Sequence, residues 1–162
     1  MAQTYSLKGF ARVKVAKDGK IVGDSDWVQN TITAYGLESC IAGGIVGAGT
    51  AVAHIALGEG SAPATSAGNS TLDQEIMGTS SDAVRQAYTG SVITAADASG
   101  VTCRWIATFS SDDRDSTFDI ANIGLYSGSS GTGLMAGTTY SSTNVDTNQD
   151  VYASYEWQFL TA

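Results

Sequence analysis

Apolar side chains fall on every second position in two long stretches of this chain. Val101, Cys103, Trp105, Ala107 and Phe109 alternate with Thr102, Arg104 and Thr108, and Val151, Ala153, Tyr155, Trp157 and Phe159 alternate with Ser154, Glu156 and Gln158. Side chains of a strand point to opposite faces in turn, so each stretch predicts a strand with one face in a core and the other in water. Trp105 and Trp157 fall on the core side, where a deeply buried aromatic contributes on the order of 2–3 kcal/mol. Shorter strand patterns occupy 87–94, 118–126 and 134–140, most of them followed by Gly, Ser, Asn or Asp. A further apolar run at 52–57 stops at Gly58-Glu59-Gly60, ahead of a small, polar stretch over 61–70 that holds Pro63. Near the start, Ala11, Val13 and Val15 alternate up to Asp18-Gly19 and are followed by Ile21-Val22. Asp-Gly supplies the positive φ angles of a tight turn, so 10–22 predicts a hairpin.

The period changes after Thr31. Ile32, Tyr35, Cys40, Ile41 and Ile45 lie roughly on one face of a helix, with Asn30 or Thr31 placed to cap it and Gly43-Gly44 placed to end it. The whole pattern predicts an all-β protein: an antiparallel sandwich or jelly roll of seven to nine strands with one short α-helix and an N-terminal hairpin arm. One domain over residues 1–162 is expected, divided into the arm at 1–22 and the sandwich core at 27–162. The run Ser127-Gly128-Ser129-Ser130-Gly131-Thr132-Gly133 has little to bury and predicts a loop that is mobile or ordered by a partner.

Composition narrows the function classes. Hydrophobic residues are 43% and charged residues 15%, which suits a folded chain and not an acidic tail. Sixteen acidic against eight basic residues give a formal net charge of -8, which repels phosphate backbones and disfavours nucleic-acid partners. Lys8, Arg12, Lys14, Lys17 and Lys20 gather five of the basic residues near the start. They read first as a solvated hairpin face and second as a partner-binding surface for an acidic neighbouring subunit. No run reaches membrane-spanning length and the first residues lack the apolar stretch of a secretory signal, so a soluble protein made in the cytoplasm is expected. Cys40 and Cys103 form no Cys-x-x-Cys and read as small apolar side chains in preference to a disulfide or a metal site.

Chemistry is hard to place. The single histidine, His54, lies in an apolar run with no Gly-x-Ser-x-Gly elbow, which suggests a satisfied core or interface imidazole instead of a catalytic base. Gly43-Gly44, Gly47 and Gly49 lack the Lys-Ser or Lys-Thr of a phosphate loop and read as tight turns or close approaches. Asp112, Asp113 and Asp115, with Asp119 nearby, could offer oxygen ligands to calcium, as could the stretch Asn144, Asp146, Asn148 and Asp150. Their spacing is not that of an EF-hand, and a solvated turn accounts for the first group more simply. No cofactor and no catalytic residue is expected.

Five short patterns recur in a fixed order: Trp27-Val28-Gln29-Asn30, His54-Ile55-Ala56-Leu57-Gly58-Glu59-Gly60, Leu72-Asp73-Gln74-Glu75, Asn122-Ile123-Gly124-Leu125-Tyr126 and Tyr155-Glu156-Trp157-Gln158-Phe159-Leu160. In that order and spacing the chain resembles small structural proteins of tailed-bacteriophage virions, from Trp27 to Leu160. It departs from their pattern at Asn122, where a Glu is usual, and at Met77-Gly78, where a basic residue is usual. The resemblance implies a non-enzymatic virion component. It points to a capsid decoration or cement protein on the head exterior, with the major capsid protein and copies of itself in a homotrimer as partners. Tail, baseplate or fibre components share the pattern. A different class, a carbohydrate-binding module, would be marked by Tyr35, Tyr88 or Tyr126 accessible at one loop rim.

Overall fold

A computed structural model describes residues 4–61, 71–76, 85–97, 100–111 and 116–161. Within them ten strands form one antiparallel sheet that folds over on itself into a sandwich-like, nearly closed barrel. The strands are β1 (Tyr5–Lys17), β2 (Lys20–Asp24), β3 (Val28–Ile32), β4 (His54–Gly58), β5 (Gln86–Ala87), β6 (Gly90–Asp97), β7 (Gly100–Phe109), β8 (Phe118–Tyr126), β9 (Leu134–Val145) and β10 (Asp150–Thr161). Their order is β5-β4-β8-β9-β3-β1-β10-β7-β6, with β2 paired to β1. The expected all-β antiparallel class with one short helix is what the chain adopts, with more strands than the seven to nine read from the sequence.

Two seams join the layer β1-β10-β7-β6 to the layer β3-β9-β8-β4-β5. At the first, β3 pairs with β1 up to Gly9↔Asn30 and then, through Thr31 and Ile32, with β9. At the second, the Tyr88 N–H donates to the Ala53 carbonyl at 3.3 Å and the Thr89 N–H donates to the Ile106 carbonyl at 2.7 Å. The chain therefore steps from one layer to the other between adjacent residues. Inside lie Val13, Val15, Ile55, Leu57, Phe109, Ile120, Ile123, Leu125, Val145, Val151, Ala153, Tyr155 and Trp157. Tyr155 is fully buried, and its hydroxyl crosses the core to donate to the Ile123 carbonyl at 3.0 Å. Trp105 meets Trp157 edge to face at 5.4 Å, so both tryptophans pack on the predicted side.

The N-terminal hairpin forms as predicted, with Asp18 and Gly19 both at positive φ (51° and 74°). Its place in the fold corrects the division into an arm at 1–22 and a core at 27–162. β1 lies between β10 and β3, in register with β10 from Tyr5↔Thr161 to Ala16↔Asp150, and it sends Ala11, Val13 and Val15 into the core. Alternation within 10–22 reports a half-buried strand, and a strand at the centre of a sheet looks the same in sequence as one in an arm.

The helical segment also differs from its prediction. Asn30 and Thr31 are held in the sheet opposite Gly9 and Gly137, so neither caps a helix. Thr33 does so: its hydroxyl accepts from the Gly36 N–H at 3.0 Å while donating to the Leu134 carbonyl at 2.6 Å. The segment winds as a π-helix over Gly36–Ala42, where the Gly43 N–H reaches the Glu38 carbonyl, and continues as an α-turn over Gly43–Ile45. We refer to the two together as α1. Glycine at 43 does not end the helix, because a second close approach requires it there: a Cβ would sit 2.8 Å from the Gly49 Cα.

Candidate functional site

Three places on this framework concentrate polar or apolar groups. The first is the outer face of the β4-β8-β9 layer. Asp73-Gln74, with Gln74 in the left-handed region at φ 46°, turns the 71–76 segment back along β4. There the Ile76 N–H donates to the Leu57 carbonyl at 2.9 Å and the Glu59 N–H to the Gln74 carbonyl at 3.0 Å. Leu72 then seats on Ala56, Tyr126 and Leu134, over Gly124, where a side chain would collide with it. Around Leu72 sits a buried ionic cluster. Arg85 binds Glu75 through two nitrogens at 2.7 and 3.0 Å and lies 3.5 Å over the Tyr126 ring. The Tyr126 hydroxyl donates to Glu75 at 2.8 Å and accepts from the Leu72 N–H at 2.7 Å, and burial with the adjacent Glu75 carboxylate raises its pKa. Two further Arg85 donors reach the carbonyls of Gly128 and Gly131 at 3.3 and 2.8 Å.

That last pair of bonds corrects the expectation for 127–133. The Gly-rich loop is held from within by Arg85, not left to a partner. Beside the cluster, Asn122 donates to the Gly60 and Asp73 carbonyls at 2.8 Å each. A Glu at 122 would bring a carboxylate, an acceptor, to face those two carbonyls. The cluster is a fastening: its charges are paired and its donors are directed at protein acceptors.

The second place is the outer face of β1. Lys8, Arg12 and Lys14 share that face, while Lys17 and Lys20 stand opposite each other at the hairpin end. They form a row about 30 Å long, at 3.3 Å per residue, and not a cluster. Arg12 grips Asp24 through two bonds of 2.8 and 2.5 Å, with Asp26 at 3.8 Å, and Lys14 lies 3.9 Å from Asp24. The Arg12 guanidinium holds the Asp24 carboxyl below its usual pKa. Two of the five candidate partner-binding residues therefore already face carboxylates of their own chain. Across the same layer Arg104 pairs with Glu156 and lies 5.6 Å from the Trp27 ring. Beside Asp24, a groove of about 410 Å³ is lined by Ser25, Val28, Tyr140 and the hydroxyl run Ser141, Ser142 and Thr143.

The third place is an apolar cleft of about 360 Å³ between α1 and the inner face of β7 and β10, lined by Cys40, Ile41, Gly44, Ile45, Cys103, Trp105, Trp157 and Phe159. Both cysteines are free thiols, half-buried, with pKa values raised by burial. The sequence pairs neither of them with this cleft. Its signal was the helical period that placed Cys40, Ile41 and Ile45 on one face.

His54 is half-buried at the β4 edge, its Nδ1 has no hydrogen-bond partner among the described residues, and burial together with Arg85 lowers its pKa. The expectation of a satisfied imidazole is corrected to that extent. Tyr126 is buried, Tyr35 is half-buried with its hydroxyl 3.3 Å from Ser127, and Tyr88 is exposed at the second seam. All three lie near the junction of Ala53, Tyr126 and Ser127, and of them only Tyr88 is exposed. Asp112, Asp113 and Asp115 lie outside the described residues. Asp119 accepts from Asn144 at 3.1 Å, the Asp146 N–H donates to Gln149 Oε1 at 2.9 Å, and Asp150 accepts from the Ser111 N–H at 2.8 Å. Among the described residues no three potential ligands converge on a metal position, and no helix is long and apolar enough to cross a membrane.

No known family profile, no curated protein and no solved structure matches this chain.

Proposed function

We propose that this chain is a non-enzymatic structural protein of a tailed-phage virion, a decoration or cement protein that binds the outside of the head and ties neighbouring capsid subunits together. The single observation that carries the reading is the placement of the five sequence patterns. Trp27 to Asn30 lies at the seam where β3 changes partner. His54 to Gly60 and Asn122 to Tyr126 are the paired strands β4 and β8 under the outer clip. Leu72 to Glu75 is the clip, and Tyr155 to Leu160 lies in β10, between β1 and β7. The residues that carry the likeness to virion proteins are joints of this framework, which supports reading that likeness as more than chance composition.

The physics suits the task. A nearly closed sheet with a clasped outer face suits a preformed module, and such a module repeated on a symmetric lattice multiplies modest contacts through avidity. The partners on this reading are the major capsid protein and further copies of the chain. The exposed lysines of the β1 row, Lys8 and Lys20, are the available cations for an acidic capsid surface. Co-sedimentation of purified protein with heads lacking it tests attachment: saturable binding at a fixed copy number per head is expected. Failure to pellet with any head preparation overturns the decoration role. Sugar binding is disfavoured because Tyr126 is buried and Tyr35 half-buried, which leaves only Tyr88 of the three exposed.

A further inference from the structure

We infer that the face formed by α1 and its cleft is where this protein meets a second copy of itself. The inference deepens the proposed role by naming the self-contact, and it rests on that reading only for the expectation that copies meet at all. Three large apolar side chains of α1 and its exit stand in solvent: Ile45 is 83% exposed, Val46 76% and Leu37 47%. Beside them opens the cleft of Ile41, Gly44, Trp105 and Phe159. One surface thus carries both a protruding knob and an apolar hollow, as a self-complementary contact requires.

The knob is held in place. Gly47 turns the chain at φ 75°, the Ala48 N–H donates to the Gly43 carbonyl at 2.9 Å, and the Thr50 N–H donates to the Ser39 carbonyl at 2.9 Å. Gly49 packs so closely on Gly43 and Gly44 that a side chain at 49 would collide with their backbone. Four glycines and two backbone bonds fix two β-branched apolar residues outward. A contact that is ordered before binding loses little entropy on binding.

Charge selects the occupant. Copies of a chain with net charge -8 repel each other, and they approach at least cost through a surface that carries none. The knob and cleft hold no Asp, Glu, Lys or Arg, with Glu38 at the margin. Among the described residues that form the knob and line the cleft there is no Lys or Arg, which together with Glu38 argues against an anionic bilayer as the occupant.

Sedimentation velocity at about 50 µM, above the Kd of a micromolar interface, tests the inference. The wild-type chain is expected to sediment as an oligomer. Ile45→Asp, at a side chain that contributes little to folding, is expected to weaken association about tenfold or more with an unchanged melting curve. Gly44→Glu adds a charge at the cleft mouth where a Cβ meets nothing within 4 Å, and the same shift is expected. A monomeric wild-type chain overturns the inference, as does an Ile45→Asp, Gly44→Glu double variant that assembles like wild type. Head binding is scored separately on the same samples. A monomer that still saturates heads removes the self-contact and keeps the decoration role. An oligomer that binds no head does the reverse.

Discussion

The outer faces of β10 and β8 show how two strands of one sheet can be written in different codes. On β10 the outward residues are Tyr152, Ser154, Glu156 and Gln158, next to Lys8, Arg12 and Lys14 of β1 and Thr102, Arg104 and Thr108 of β7. Phe10 of β1 and Ile106 of β7 interrupt that polar face, and Glu156, between Phe10 and Arg104, is only 6% exposed, while Tyr152, Ser154 and Gln158 are half-buried. On β8 the outward residues are Asn122, Gly124 and Tyr126, and all three are buried under the 71–76 clip. Alternation vanishes because both faces are covered. Both faces carry an ion pair with a buried carboxylate, but on β10 the cation, Arg104, is exposed, whereas on β8 Arg85 is buried with Glu75.

Several experiments would break or sharpen that contrast. The largest effect is expected from deleting residues 1–22, which removes β1 from between β10 and β3 and exposes the inner faces of both layers. Loss of cooperative thermal unfolding is expected, and a truncated chain with a sharp transition would contradict the central place of β1. Next comes Trp157→Ala, a cavity at the packed end of β10, expected to cost about 3–5 kcal/mol in denaturant melts. A cost below about 1 kcal/mol would show that the inner face of β10 is misassigned. Arg85→Met tests the β8 side. It leaves Glu75 buried without its partner and frees the carbonyls of Gly128 and Gly131, for an expected loss of about 3 kcal/mol. Arg12→Ala is the control on the β10 side, where the Asp24 pair is exposed and screened, and its melting midpoint is expected to stay at the wild-type value in high salt.

The smallest effect concerns pH. Because the folded His54 binds its proton less readily than the ordinary imidazole of pKa 6.5, the unfolded chain takes up more protons as the pH falls below that value. Stability is therefore expected to decline slightly on acidification from about pH 6.5 and to be fully restored above it. Asp24 acts in a lower window: its depressed pKa makes its contribution present above the ordinary value of 3.8 and lost as the pH falls through the folded value. His54→Gln should remove the first decline and leave the second, as read from melts across pH.

Much of the fold was legible in the residues. Strands with one dry face announced themselves through Val101 to Phe109 and Val151 to Phe159, and Asp18-Gly19 announced its turn through the φ angles those residues tolerate. What the residues hid is pairing over long separations. Nothing local says that β1 finds β10 at the far end of the chain, or that Thr33, and not Asn30, caps the helix, because Asn30 is claimed by a strand partner more than 20 residues earlier. The ionic clasp was equally silent. Arg85 gives no periodic signal, and its partners Glu75, Tyr126, Gly128 and Gly131 come together only once the clip has closed. One hint was available: glycine at 58, 60 and 124 in or beside apolar strands marks places where another chain segment must come close.

The measurement that tests the account most directly is electron microscopy of intact phage particles labelled with a gold-tagged antibody against this protein. The account predicts label distributed over the head. Label confined to the tail would contradict the decoration role while keeping the protein in the virion, and particles without any label would contradict the virion reading itself.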